Sequence, residues 1–193
     1  MTSWDDVFGD LDVRTLNHGE RLDFINAEIA RALTGKSWAA LSAGEEGHLA
    51  WDAAVRTFLD GIWVATIFCC HVVCEREVAG VISVSRARLH DALPKKWEAL
   101  GLGGLLREAG RFDLLPPDLV EALRDLANAR KPYGHWRSLI ADDSLFRRAQ
   151  VEHDLTGHPD RESIVERLVV RDATNAMRTT IRLYFGSYGL GGP

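Results

Sequence analysis

Apolar residues along this chain recur mostly every three or four positions, the spacing of helices with one buried face. From Glu20 to Leu33 the positions Leu22, Ile25, Ile29 and Leu33 form such a stripe, and Gly35 stops it. Ser42-Ala43-Gly44-Glu45 fits a capping box, which predicts the start of a long helical segment through Arg86, bent at Gly61 or Gly80. Pro94 closes the short piece that follows. Gly101-Leu102-Gly103-Gly104 leads into a brief helix ending near Gly110. Pro116-Pro117-Asp118 opens another, with Leu119, Leu123, Leu126 and Ala127 on one face and Pro132 enforcing its end. Residues 138–159 read as polar loop apart from a short Leu145–Val151 piece. Asp160 is placed to cap a last long helix that turns Val165, Leu168, Ala173, Ala176 and Ile181 inward and ends at Gly186. No period-2 strand of useful length and no internal repeat is present. The expectation is an all-α chain: a loosely structured arm over 1–19, then a single domain over 20–193, a helical bundle of four or five main helices.

Composition agrees with one full-sized core. The chain has 193 residues, 46% of them hydrophobic and 26% charged, which excludes disorder and fibrous repeats. Three cysteines, Cys69, Cys70 and Cys74, lie together in one apolar run, so they cannot staple a secreted domain, and a reducing cytoplasm is the expected compartment. The run from Gly61 to Cys74 is too short to span a bilayer, and the first residues lack the basic and apolar regions of a signal peptide. The expectation is therefore a cytoplasmic protein with no membrane partner.

The stretch Asp118 to Arg137 carries the most chemistry. Arg130 falls four residues after Leu126 and continues the inward face, where a guanidinium needs an anion or a solvated cleft. Pro132 should break the helix and Gly134 allow a sharp bend that folds His135 back beside Arg130. A fixed cation and a group titrating near neutral pH would then surround one phosphate.

Arg130-Lys-Pro-Tyr-Gly-His135 resembles the hallmark of the HEPN family, all-α domains with Arg, four to six residues, then His at a helix junction. The surroundings are similar too: an apolar helix bearing an acid (His71-Val-Val-Cys-Glu75-Arg-Glu77), a linker, and an amphipathic helix running into the motif. The resemblance covers roughly residues 43 to 185 as architecture. It implies a HEPN-like fold and a metal-independent endoribonuclease of toxin or defence context, needing no cofactor. Arg130 would hold the scissile phosphate and stabilise its developing charge, while His135 moves the proton of the 2′-OH or of the leaving oxygen. Lys131 and Tyr133 would assist, and Glu75 would take a secondary place. RNA is the implied substrate. The implied assembly is a homodimer with a composite cleft, and a protein partner or antitoxin is a further candidate. Catalytic members usually carry Asn, Asp or His after the Arg, where this chain has Lys131. That difference favours the alternative, a non-catalytic RNA-, nucleotide- or protein-binding module of the same fold.

Charge distribution narrows where RNA would touch. The net charge of −5 argues against coating nucleic acid by bulk attraction. Residues 1–60 hold a net −6, however, and the rest of the chain +1, with +3 over 124–148. Trp136 is placed to stack a base and Arg137 to meet a phosphate. Arg167, Arg171, Arg178 and Arg182 share one face of the last helix, a basic strip that either suits RNA or pairs with the acidic N-terminal third. Cys70-His71-x-x-Cys74-Glu75 resembles a metal cluster only on paper, since its two i,i+4 pairs point about 100° apart around the helix. Core cysteines are the better reading, and no metal site is expected. Glu45-x-x-His48 matches half of a di-iron signature and lacks its second half.

Overall fold

The computed structural model describes residues 13–33, 44–89, 93–134, 138, 141–157 and 160–186. These form seven α-helices of ten residues or more: α1 His18–Leu33, α2 Gly44–Leu59, α3 Trp63–Leu89, α4 Leu102–Arg111, α5 Pro117–Ala129, α6 Leu145–Thr156 and α7 Arg161–Phe185. One further helical turn, Lys131–Gly134, follows α5, and no strand occurs among the described residues. The all-α expectation holds, with seven such helices among the described residues where four or five were expected.

Local sequence accounts for most helix ends. Asn17 Oδ1 accepts from the Glu20 amide at 3.0 Å while Glu20 Oε2 accepts from the Asn17 amide at 2.8 Å, a reciprocal cap that begins α1 at His18. The capping box expected at Ser42 lies outside the described residues. The segment read as one long helix is two, α2 and α3. Gly61 takes φ +73°, a left-handed conformation that suits glycine and ends α2. Arg21 fastens this corner by donating to the free Leu59 carbonyl at 2.9 Å and lying over the Trp63 ring at 4.8 Å. Pro117 occupies the first position of α5, where its missing N–H costs nothing. Ser144 Oγ accepts from the Arg147 amide at 3.0 Å to begin α6, and Gly157 closes it at φ +65°. The expected cap on the last helix is in place: Asp160 Oδ1 accepts from the Glu162 amide at 3.0 Å.

The two longest helices, α3 and α7, form the spine. Helix α2 lies along α3, α1 and α5 lie on α7, and α4 bridges α3 and α5. Their common core contains Phe58, Ile67, Ile82, Leu105, Leu123 and Met177, all essentially inaccessible to solvent. Trp51 stacks on Tyr184 with ring centroids 5.1 Å apart, and the Tyr184 hydroxyl is 3.0 Å from His48 Nδ1. That contact gives the exposed histidine of Glu45-x-x-His48 a hydroxyl partner. A small second cluster, Ala149, Ile164 and Leu168, joins α6 to the first half of α7. Of the arm expected over 1–19, Val13 is buried in the main core.

Candidate functional site

Helix α5 carries Arg124, Ala127 and Asn128 to one cleft and is capped at its C-terminus by Arg130. The Arg130 carbonyl accepts from both the Tyr133 and Gly134 amides, at 3.1 and 3.2 Å, so the chain adds one more helical turn. Helix α5 ends ahead of Pro132, at Ala129 with Arg130 as its C-cap, as expected, but the chain adds a separate turn in which the proline stands near the start, where a missing amide is tolerated. Gly134 is not a left-handed hinge. A Cβ there would come within 3.2 Å of the Phe68 ring, so its bareness lets the turn lie against α3.

Beside this junction is a cleft of about 450 Å³. Its α3 wall bears His71 and Glu75, one helical turn apart. A second wall is the backbone of Gly101–Gly104 at the start of α4. Arg124, Arg130 and Lys131 complete it. Glu75 Oε2 accepts from the Leu102 amide at 2.9 Å, satisfying one of the free N–H groups that open α4. The carboxylate is therefore engaged by α4 and forms no ion pair with Arg130. Arg130 has no hydrogen bond or ion pair among the described residues, and its buried Nε is unsatisfied. Its nearest companion is the Phe68 ring, 6.0 Å from the guanidinium carbon, at the limit of a cation–π contact. Lys131 Nζ donates to Asn128 Oδ1 at 2.6 Å. His71 is only 8% exposed; burial, then the Arg130 charge, lowers its pKa below the usual value near 6.5, and Glu75 opposes this weakly.

Tyr133 turns the other way. Its hydroxyl donates to Asp172 Oδ2 at 2.9 Å, and Arg148 donates to both Asp172 oxygens at 2.7 Å each. This knot ties the motif turn to α6 and α7. Its Arg148 and Asp172 line a second cleft, of about 510 Å³. Burial and the neighbouring Asp172 carboxylate hold the Tyr133 phenol far above its ordinary pKa.

The sequence-derived residues therefore separate. Arg130, Lys131 and Glu75 meet around one cleft, and Tyr133 is tied instead to Asp172. His135, Trp136 and Arg137 lie outside the described residues. The four arginines of the α7 strip each have an acidic partner: Arg167 and Arg171 share Glu152 at 3.2 and 3.7 Å, Arg178 meets Glu28 at 3.2 Å, and Arg182 pairs with Asp118. The strip is a face of ion pairs rather than of free cations. Cys70 and Cys74 are fully buried, with Cys74 Sγ 3.3 Å from Thr180 Oγ1, and no group of metal-ligating side chains is assembled among the described residues. No helix there is long and apolar enough to cross a membrane.

Two participants were not assigned by sequence. His71 was weighed only as part of the cysteine cluster, although its i,i+4 spacing to Glu75 already placed both on one face. Asp172 went unnoticed on the buried stripe Leu168–Asp172–Ala176, where an acid at helical spacing requires a partner. No protein-family model matches the chain, and neither a curated protein nor a solved structure matches it.

Proposed function

We propose that the chain is a HEPN-like domain that binds RNA at the Arg130 cleft and cleaves it without a metal. The observation that supports this reading best is the state of Arg130. A half-buried guanidinium with an unsatisfied Nε, no acidic partner among the described residues and an open cleft before it is prepared for an anion. Arg124 and Lys131 line the same cleft, against the single acid Glu75. A phosphodiester fits this balance: Arg130 would grip its non-bridging oxygens and stabilise the charge that grows there during 2′-OH attack. His135, five residues on, is the proton carrier this reading requires. A homodimer that brings two such junctions together in the cytoplasm remains part of the proposal. The paired arginines of α7 confine the expected RNA contact to the cleft and residues 135–137.

One observation favours the second reading, a non-catalytic RNA- or nucleotide-binding module. Lys131, which stands where catalytic relatives of this motif carry other residues, is turned back onto Asn128. The experiment is incubation of RNA with the protein in excess chelator, beside His135→Ala and Arg130→Ala. Cleavage by the wild type to 2′,3′-cyclic phosphate ends, lost in both variants, supports the nuclease. RNA binding that is weakened by Arg130→Ala, with no cleavage by any form, supports the binding module instead.

A further inference from the structure

We infer that the larger cleft is a base subsite, which takes a guanine of the RNA strand whose phosphate is held on Arg130. The inference rests on the RNA-binding part of the reading above, in its nuclease form or its binding form alike. It extends the contact from the Arg130 cleft to the neighbouring one.

The two clefts meet at the end of α5. Asn128 lines both, while Lys131 lines the smaller and Pro132 the larger. The larger, of about 510 Å³, is lined from α5, α6, α7 and the motif turn, and its volume is in the range of small-molecule sites. Leu126 and Ala176, both buried, give it an apolar floor. Ala122 and Ala129, two turns apart on α5, extend that lining with methyl groups that leave room for a flat ring.

The polar groups around this floor divide into those already held and those that are not. Arg148 and Asp172 hold each other, and Tyr133 adds its hydroxyl to the same carboxylate. Arg178 is held by Glu28 at 3.2 Å and lies 5.2 Å over the Phe24 ring. Asp143 is engaged as well. Asp125, Asn175 and Thr179 have no side-chain hydrogen bond or ion pair among the described residues. Asn175 and Thr179 stand one turn apart on α7 and Asp125 on α5, so the uncommitted groups line the cleft from two helices. With both arginines neutralised and Asp125 uncompensated, the cleft disfavours a phosphate. The part of a strand that it suits is therefore a base.

The free groups are one carboxylate, one amide and one hydroxyl. Guanine complements them: its N1–H and 2-amino group point the same way and meet both oxygens of one carboxylate, while its O6 accepts from an amide or a hydroxyl. Adenine and cytosine set a ring-nitrogen acceptor beside their amino group, and uracil flanks its single N–H with two carbonyl oxygens, so each turns an acceptor toward Asp125. Single-stranded RNA presents these edges unpaired and open to readout.

The test measures by fluorescence anisotropy the affinity for 2′-O-methyl pentanucleotides, which lack an attacking hydroxyl and stay intact. Four uridine-rich strands differ only in a central G, A, C or U, and a fifth carries inosine, which is guanine without its 2-amino group. The expected wild-type result is binding of the G strand about ten- to hundredfold tighter than the U strand, with inosine between them. Asp125→Asn should bring the G-to-U ratio close to one, and Asn175→Ala should lower it several-fold. Both side chains are exposed, so neither replacement threatens the fold, and the ratio cancels any uniform gain from removing a negative charge. Arg130→Ala should weaken every strand alike and keep the ratio. Equal wild-type affinity for all five strands, a preference for another base, or a guanine preference untouched by Asp125→Asn would overturn the inference and leave RNA at Arg130 standing. Binding of none of the strands would overturn both.

Discussion

The knot of Tyr133, Asp172 and Arg148 offers the sharpest test of how the motif turn is held. Replacing Asp172 with Ala removes an 8%-exposed carboxylate that accepts three hydrogen bonds, and it strands a guanidinium whose side chain is 23% exposed. Taking one partner from a buried ion pair costs roughly 3–5 kcal/mol, because the remaining charge is left in a poor solvent. Arg148 still reaches water along one edge, so the lower end, about 3 kcal/mol, is the expected loss. For a chain of this size that corresponds to a fall in Tm of roughly 6–12 °C. Urea unfolding followed by far-UV circular dichroism measures it directly. Asp172→Asn keeps an acceptor for Tyr133 and should fall between wild type and Asp172→Ala. The double replacement Arg148→Met with Asp172→Leu removes the charges together and should recover most of the loss. A change within about 0.5 kcal/mol for Asp172→Ala would refute the reasoning, as would a double variant no more stable than the single one.

Two further outcomes follow from burial. Because the folded chain holds the His71 pKa below its ordinary value near 6.5, the unfolded chain binds the proton more readily. The resulting stability is complete above pH 6.5 and falls as pH drops through the folded value; the urea midpoint should therefore decline less between pH 7 and pH 5 in His71→Gln, and parallel slopes would contradict it. Burial also pushes Cys70 upward and Cys74 up to about 12, so iodoacetamide at pH 8 should label neither in native protein and both after unfolding, with fast native labelling of Cys74 as the contrary result.

Periodicity made the helical class and the positions of α1, α5 and α7 legible, because each presents a recurring apolar face. The division between α2 and α3 was half legible: Gly61 stood as one of two bend positions, but apolar residues on both sides of Asp60-Gly61 let the segment read as one helix. Helix α6 was largely missed for the opposite reason: it buries only Ala149, so it has almost no stripe, although Ser144 and Gly157 mark its ends. At the site, Arg130, Lys131 and Glu75 could be gathered from helical spacing and the motif resemblance. Whether Arg130 had a partner could not, since Glu75 is engaged by an amide 27 residues away. The same limit applies to the arginines of α7. Their shared face is a property of the helix, but the acid that meets Arg178 is Glu28, 150 positions earlier.

Helix α7 belongs to two cores, and this gives a single rod two mechanical regimes. Its second half is clamped among α1, α3 and α5, whereas its first half is held mainly by α6, through three buried side chains and the ion pairs of Arg148 and Glu152. The α6 hairpin can consequently loosen without unfolding the rest, as weakly buried units do. Asp172 marks the fulcrum between the two halves, and through Tyr133 it grips the turn that follows Arg130. Anything that pries α6 away from α7 therefore pulls on that turn from behind, and with it on Lys131 in the cleft wall.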